Sequence, residues 1–226
     1  LLPIKKKTIV FESYWGKSFS DNPRALYEYI DENHPEFETV WFFKDQYTPI
    51  TGRAKRVRIN SFKYFYYLAR AKYFVNNVNF PDIYKKRKKA VEIQTMHGTP
   101  LKTLGLDNPQ EVPTEKHKKS LIQRCSRWDY LTVPSDYVAS IAKRAYKFNK
   151  EVLKTGYPRN DKLFQKNNRD YINSVKKKLN LPSDKKIILY APTWRIKGKY
   201  NLQLDLDMMK KELNDEYIIL IRLHHF

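Results

Sequence analysis

A histidine beside a glycine follows a predicted buried strand, and this pairing could carry acid–base chemistry. His97 lies in the segment Gln94–Lys102, directly after the apolar run Ala90–Ile93 and directly before Gly98 and Thr99. The Gly, Thr and Pro residues here are typical of a turn that ends a strand. Because the unperturbed pKa of histidine is about 6.5, His97 could remove a proton near neutral pH. The alternative is a capped turn whose imidazole only hydrogen-bonds the backbone.

Polar residues follow three other predicted strands, at 151–153, 186–190 and 217–221. Ligands of open α/β sheets bind at the carboxyl ends of strands, and arginine presents a fork of donors that matches phosphate oxygens. Singly, an arginine after a strand is more often only solvated or ion-paired. Repetition at successive strand ends favours one site for an anionic ligand, formed with His97 by the segments Gly156–Arg159, Pro192–Arg195 and Arg222–His224.

Other kinds of site are disfavoured. Neither a Gly-rich phosphate loop nor a Gly-x-Ser-x-Gly elbow occurs in the sequence, so nucleotide hydrolysis on a P-loop is not expected. We interpret His34 and His117 as surface residues, and the adjacent His224 and His225 would point to opposite sides of a strand, so no metal site is predicted. Cys125 is interpreted as core filler.

The composition favours a globular protein with an anionic partner. The 226 residues are 41% hydrophobic and 15% aromatic, and they carry a formal net charge of +20. Such a charge indicates nucleic acid, a phosphorylated substrate or an anionic membrane surface. The single cysteine excludes an internal disulfide framework and favours a reducing compartment. No apolar run approaches the roughly 20 residues that a membrane-spanning helix needs.

Two segments could contact lipid or another polyanion. The run Lys85–Lys89 contains five cations, for which the alternative is a solvated surface loop. The aromatic helix predicted at 62–71 could lie at a membrane interface. We expect most of its rings in the core instead, because aromatic side chains are mainly core material.

Strand and helix patterns alternate along the chain. A strand at 8–11 precedes a loop at 12–17, and Asn22 is predicted to cap the next helix, with Pro23 at its first position. Ser61 and Ser135 are predicted caps of later helices. Such alternation indicates parallel βαβ units with helices on both faces of a sheet. Further strands are predicted at 39–43, 56–59, 73–75, 90–93 and 128–133.

The polar stretch 161–184, with one helix predicted at 171–179, is the best candidate for a domain boundary. We therefore expect a first domain at 1–165 and the start of a second at 166–226. The second holds only two predicted strands. Because the chain begins without Met and ends directly after a strand-like run, we expect it to be part of a longer protein.

Five motifs together resemble the CDP-glycerol glycerophosphotransferases, the bacterial teichoic acid polymerases and primases. Their order along nearly the whole chain is more specific than any one of them. Many family members have Trp where this chain has Met96. The motifs are Phe11–Ser13 with Asn22–Pro23, Gln94–Lys102, Thr155–Asp161, Tyr190–Arg195 and Arg222–His224.

The resemblance implies an α/β, GT-B-like fold of two Rossmann-like domains facing a cleft. Residues 1–165 would be the acceptor domain, and 166–226 the start of a truncated CDP-donor domain. It implies transfer of a polyol phosphate from CDP-glycerol or CDP-ribitol to a lipid-linked, polyanionic teichoic acid chain or primer, with release of CMP. The protein would act peripherally at the cytoplasmic face of the cell membrane, on an anionic surface. Neither a cofactor nor nucleic acid is expected.

The resemblance also implies roles for site residues. His97 would deprotonate the acceptor hydroxyl, and His224 would bind or protonate the donor phosphates. Arg195 and Arg159 would lie near the phosphates. Further substrate-binding residues would be Gly98, Thr99, Thr193 and Arg222.

Two alternatives remain at this point. One is a sugar-nucleotide glycosyltransferase or epimerase of the same two-domain fold, because fold does not fix chemistry. The other, less favoured, is a basic nucleic-acid binding protein, although no RRM, KH, helix-turn-helix or zinc pattern occurs.

Overall fold

The computed structural model describes residues 2–192, 202 and 204–223. The chain divides into two compact units, Leu1–Lys162 and Leu163–Phe226. Each unit contains parallel strands alternating with helices, as the sequence pattern predicts.

The first unit is built on a seven-stranded sheet in which every neighbouring pair is parallel. The strands lie in the order β3-β2-β1-β4-β5-β6-β7, so the order reverses between β1 and β4. In open α/β sheets, ligands bind at the carboxyl ends of the strands beside such a reversal. The strands are β1 (Lys5–Glu12), β2 (Glu38–Phe43), β3 (Lys55–Arg58), β4 (Ala71–Asn76), β5 (Val91–Gln94), β6 (Tyr130–Thr132) and β7 (Glu151–Leu153).

Helices connect β1 to β2, β3 to β4, β5 to β6 and β6 to β7, whereas loops connect β2 to β3 and β4 to β5. The side chains of Ser61, Thr114 and Ser135 each accept a hydrogen bond from the backbone three residues on, which stabilises a helix start. The predicted caps Ser61 and Ser135 are thus confirmed. The helices are α1 (Asp21–Asn33), α2 (Phe62–Arg70), α3 (Glu115–Ser126), α4 (Asp136–Ala145) and α5 (Asp161–Gln165), with short 3₁₀ turns at Tyr14–Gly16, Gly105–Asp107 and Pro158–Asn160.

Asn22 does not cap α1, and that prediction is wrong. The helix begins at Asp21, and Ser20 occupies the cap position without a side-chain hydrogen bond. Asn22 is fully buried, and its amide donates to the carbonyl oxygens of Thr95 and Met96 at 3.0 and 2.9 Å. The side chain therefore fixes the loop after β5 rather than the helix end.

Apolar layers cover both faces of the sheet. Because successive strand residues point to opposite faces, Val10 packs towards α2 with Tyr64, whereas Phe11 packs towards α1 with Tyr27. Glu12 is two residues after Val10, so its side chain points to the same face of the sheet, the face that α2 covers. A third cluster contains Cys125, and burial raises the pKa of its thiol to about 12. The interpretation of this cysteine as core filler is confirmed.

The second unit contains α6 (Arg169–Lys178), β8 (Lys186–Tyr190), α7 (Leu206–Leu213) and β9 (Tyr217–Ile221). The two strands pair in parallel, from Lys186 opposite Tyr217 to Tyr190 opposite Ile221. The helix predicted at 171–179 is confirmed as α6, whereas α5 was not predicted. Among the helices formed by the described residues, none has both the length and the apolar character needed to cross a bilayer.

Candidate functional site

His97 lies just beyond the carboxyl end of β5, with an exposed side chain. Its Nδ1 lies 2.9 Å from the backbone oxygen of Asn77, directly after β4. A carbonyl oxygen can only accept, so Nδ1 carries a proton and donates, and Nε2 is the ring nitrogen that can act as the acceptor. Nε2 has no hydrogen bond to any residue that the structure describes. The backbone contact therefore orients the ring and leaves its basic nitrogen available.

Asp21 joins the loops around His97. Its carboxylate is 4% exposed and accepts hydrogen bonds from the hydroxyl of Tyr14, from Nδ2 of Asn77 at 3.1 Å and from Nη1 of Arg159 at 2.7 Å. The Tyr14 ring packs edge-on against the imidazole of His97, with 5.7 Å between ring centroids. One buried carboxylate thus ties together the segments that follow β1, β4 and β7.

Arg159 connects the same carboxylate to the His97 backbone. Its Nη1 donates to the His97 carbonyl oxygen at 2.9 Å, and its backbone N–H donates to Oδ1 of Asn22 at 3.2 Å. The guanidinium also lies over the Tyr157 ring, 5.3 Å from its centroid. With a side chain 33% exposed, Arg159 neutralises Asp21 and still reaches solvent beside the histidine.

The backbone around this cluster is strained. Tyr14, Trp15, Asp21 and Met96 have φ values of 46°, 57°, 64° and 54°. Side chains other than glycine rarely adopt this left-handed region, and each instance costs on the order of 1–3 kcal/mol. Such residues cluster at functional sites, where surrounding contacts hold them in place. Here the hydrogen bonds of Asp21 and Asn22 provide those contacts.

Gly98 and Thr99 extend the rim of the site. A Cβ added to Gly98 would meet no atom within 4 Å, so packing does not require glycine there. Its small size leaves open space beside the imidazole. Thr99 is exposed.

The first unit thus brings together His97, Gly98, Thr99 and Arg159. Arg222 belongs to the second unit, where it follows β9 with an exposed side chain and donates its backbone N–H to the Tyr190 oxygen at 2.9 Å. The other predicted site residues, Thr193, Arg195 and His224, lie outside the described residues.

Sequence reasoning missed Asp21, Tyr14 and Asn77. Asp21 and Tyr14 belong to the segment after β1, and Asn77 directly follows β4, so all three flank the reversal in strand order. Their proximity to predicted strand ends was a signal that could have identified them. The order of the strands in the sheet, which brings them together, could not be predicted from the sequence. Within residues 2–192, 202 and 204–223, no group of three or more His, Cys, Asp or Glu side chains is placed to hold a metal ion.

A second buried carboxyl lies at the carboxyl end of β1, on the α2 side. Glu12 is 2% exposed, and its Oε1 accepts a hydrogen bond from Nδ2 of Asn76 at 3.2 Å. Burial, reinforced by the nearby Glu92, raises its pKa to about 8. Its Oε2 is buried without a hydrogen-bond partner among the described residues.

We expect Glu12 to make folding stability fall as pH rises. Its carboxyl has an ordinary pKa of 4.5 and a folded pKa of about 8. The folded state therefore binds this proton more tightly than the unfolded state does. The resulting stabilisation of the fold is complete below pH 4.5 and is lost as pH rises through 8. Glu12→Gln should remove a decrease in the free energy of unfolding on the order of a few kcal/mol between pH 5 and pH 9, measured by urea unfolding.

Glu38→Gln provides a matched control. The burial of Glu38 is outweighed by hydrogen bonds from Lys5 and Lys55, so its pKa is about 2. This variant should keep the wild-type slope across the same range. Glu92, whose pKa is raised by burial to about 7, accounts for the slope that remains in Glu12→Gln. An unchanged slope in Glu12→Gln would contradict the assignment.

The fold and the strand-end site define a GT-B-like α/β protein. The chain matches the family model CDP-Glycerol:Poly(glycerophosphate) glycerophosphotransferase over residues 1–226, and it belongs to that family. The resemblance drawn from the sequence motifs is thus confirmed.

Relatives of the chain support the same family membership. The chain is 44% identical over 237 residues to the teichoic acid poly(glycerol phosphate) polymerase of Bacillus subtilis, covering 99% of this chain and 32% of that protein. It is 40% identical over 240 residues to the teichoic acid poly(glycerol phosphate) polymerase of Bacillus spizizenii, covering 100% of this chain and 61% of that protein. The chain therefore spans only part of the length of these relatives.

A solved structure of the wall teichoic acid polymerase TagF shares the fold. It is 40% identical, with a TM-score of 0.90, and the match covers 98% of this chain and 57% of that chain. This similarity confirms the predicted α/β, GT-B-like fold class.

Proposed function

We propose that the full-length protein transfers glycerol phosphate or ribitol phosphate from CDP-glycerol or CDP-ribitol to a teichoic acid chain or primer. Family membership supports this reaction, and relatives include polymerases for poly(glycerol phosphate) and a ribitol-phosphate primase from Bacillus spizizenii. One TagF structure was obtained after a soak with CDPG. The observation that carries the mechanism is the orientation of His97, with Nδ1 fixed on the Asn77 carbonyl and Nε2 available.

In this mechanism His97 Nε2 removes the proton from the acceptor hydroxyl. The hydroxyl oxygen attacks the phosphorus that carries the polyol, and a new P–O bond forms. The pyrophosphate P–O bond breaks, and its electron pair leaves with CMP. Positioning, a base and positive charge on the phosphate oxygens are what such a transfer needs.

The remaining site residues receive roles in the same proposal. Arg159 has no hydrogen bond from Nε or Nη2 to a described residue, so these groups are available to phosphate oxygens. The open space at Gly98 admits the acceptor, with Thr99 at its rim. Residues 1–165 form the acceptor domain and 166–226 begin the donor domain. There His224 acts on the donor phosphates, and the further donor-binding residues are Thr193, Arg195 and Arg222.

The acceptor is lipid-linked in this proposal, and the protein acts at the cytoplasmic face of an anionic membrane. Lys85, Lys88 and Lys89 are exposed, whereas Lys86 pairs with Asp129 and Arg87 binds backbone carbonyls. On α2, Tyr64 and Tyr67 are in the core, but Phe62 is 86% exposed. Exposed lysines near an anionic bilayer contribute about 1 kcal/mol each. Together with the net charge of +20, these side chains support membrane contact.

The proposal is tested by comparing nucleotide release from three donors. Full-length protein is mixed with a lipid-linked acceptor and with CDP-glycerol, CDP-ribitol or a UDP-sugar, and released CMP and UDP are measured. We expect CMP release from a CDP-polyol that depends on the acceptor. Release of UDP in place of CMP would replace the proposal with the sugar-nucleotide alternative.

A further inference from the structure

A pocket with a volume of about 420 Å³ opens beside Glu12, on the face of the sheet that α2 covers. It lies within the first unit, at the carboxyl ends of β1 and β4, where the strand order reverses. Its lining includes Glu12, Trp15, Lys44 and Asn79, together with Asp82 and Arg124, which pair with each other at 3.2 Å.

Two buried oxygens in the lining lack partners. Oε2 of Glu12 and Oδ1 of Asn79 have no hydrogen bond to any described residue. Buried polar groups in proteins are normally paired, so each exception needs an explanation. Glu12 is 2% exposed and lies on the same face of β1 as Val10, which belongs to a buried apolar cluster. Unpaired oxygens on two residues that line one pocket point to a ligand that carries hydroxyl groups.

A cation and an aromatic ring complete the pocket. Lys44 follows β2 and is exposed, and it is close enough to Glu12 to lower its pKa against the larger effect of burial. Trp15 is 51% exposed, and its turn is fixed because Lys44 N–H donates to the Gly16 oxygen at 2.9 Å. Oxygens that can pair with hydroxyl groups, next to a cation that can pair with phosphate, match the chemistry of a polyol phosphate. A protonated Glu12 would not repel such an anion.

The pocket and His97 flank the same turn. Trp15 lines the pocket, and Tyr14, the residue before it, packs against the His97 ring. A chain whose terminal hydroxyl lies at His97 can therefore continue across this turn into the pocket.

We propose that the pocket binds an internal polyol phosphate unit of the acceptor chain, with a hydroxyl between Glu12 and Asn79 and a phosphate at Lys44. The inference rests on the proposed function, since it assigns a second subsite to the same acceptor. It makes Glu12 and Lys44 determinants of acceptor binding that take no part in the transfer step.

The test measures binding of a synthetic, lipid-free glycerol phosphate trimer to the full-length protein by calorimetry. Glu12→Leu should weaken binding roughly tenfold, because it removes a buried hydrogen-bonding group. Lys44→Met, a change at an exposed side chain that leaves folding intact, should weaken it by about threefold to tenfold. Glu12→Gln keeps a donor and an acceptor and should stay within about threefold.

Lys143→Met is the matched control, because Lys143 is exposed on α4 outside the pocket. It should bind the trimer as the wild type does. CMP release is measured on the same proteins after the CDP donor and the lipid-linked acceptor are added. The pocket assignment would be overturned if transfer occurs and both Glu12→Leu and Lys44→Met bind the trimer as tightly as the wild type. It would also be overturned if the wild-type protein does not bind the trimer. Weakened trimer binding without any transfer would overturn the proposed function and leave the pocket assignment standing.

Discussion

Replacing His97 by asparagine should lower the rate of polyol phosphate transfer by about 10²–10⁴-fold, the range for loss of a side-chain base. The asparagine amide can still donate to the Asn77 carbonyl, as Nδ1 of His97 does at 2.9 Å. It has no nitrogen basic enough to accept a proton. The change therefore removes the base and keeps the loop in place. The turnover number for CMP release measures the effect, and calorimetry with the CDP donor should show nearly unchanged affinity.

His117→Asn is the control for this variant. His117 is exposed on α3, and its Nδ1 also makes one local contact, with Oγ1 of Thr114 at 2.7 Å. Its turnover should equal that of the wild type. Turnover within a few-fold of wild type in His97→Asn would show that some other group removes the proton.

Local patterns were enough to predict most of the strands and helices and the position of His97. Ser61 and Ser135 cap helices because a side chain three residues from a backbone N–H needs no distant partner. His97 follows an apolar run, so its place at a strand end could be predicted from neighbouring residues alone. The same holds for the parallel sheet, which follows from alternating strands and helices.

The contacts that organise the site were not predictable in this way. Arg159 meets Asp21 across 138 residues of chain, and no local pattern encodes that pairing. Asn22 satisfied the local rule for a helix cap, but its buried bonds to the loop after β5 prevailed. The sequence pattern predicts that Glu12 begins the loop after the strand at 8–11. The structure extends β1 through it and buries it.

Asp21→Asn should lower both stability and turnover, because this carboxylate joins the loops of the site. Asparagine tolerates the positive φ of 64° at this position, so the change removes charge with little change of shape. Loss of one partner of a fully buried ion pair costs about 3–5 kcal/mol. We expect about 2–3 kcal/mol here, because Arg159 is 33% exposed. Turnover should fall by about 10–10²-fold as the His97 loop loosens.

Asp107→Asn isolates the effect of burial. Asp107 pairs with Arg144 at 2.7 Å, the same distance as in the Asp21–Arg159 pair, but its side chain is 22% exposed and that of Arg144 is 64% exposed. Exposed ion pairs contribute about 0–1 kcal/mol, so this variant should unfold nearly as the wild type does. Urea unfolding and CMP release are measured on both variants. Equal, small losses in the two would mean that Asp21 is an ordinary surface partner of Arg159 and does not hold the histidine in place.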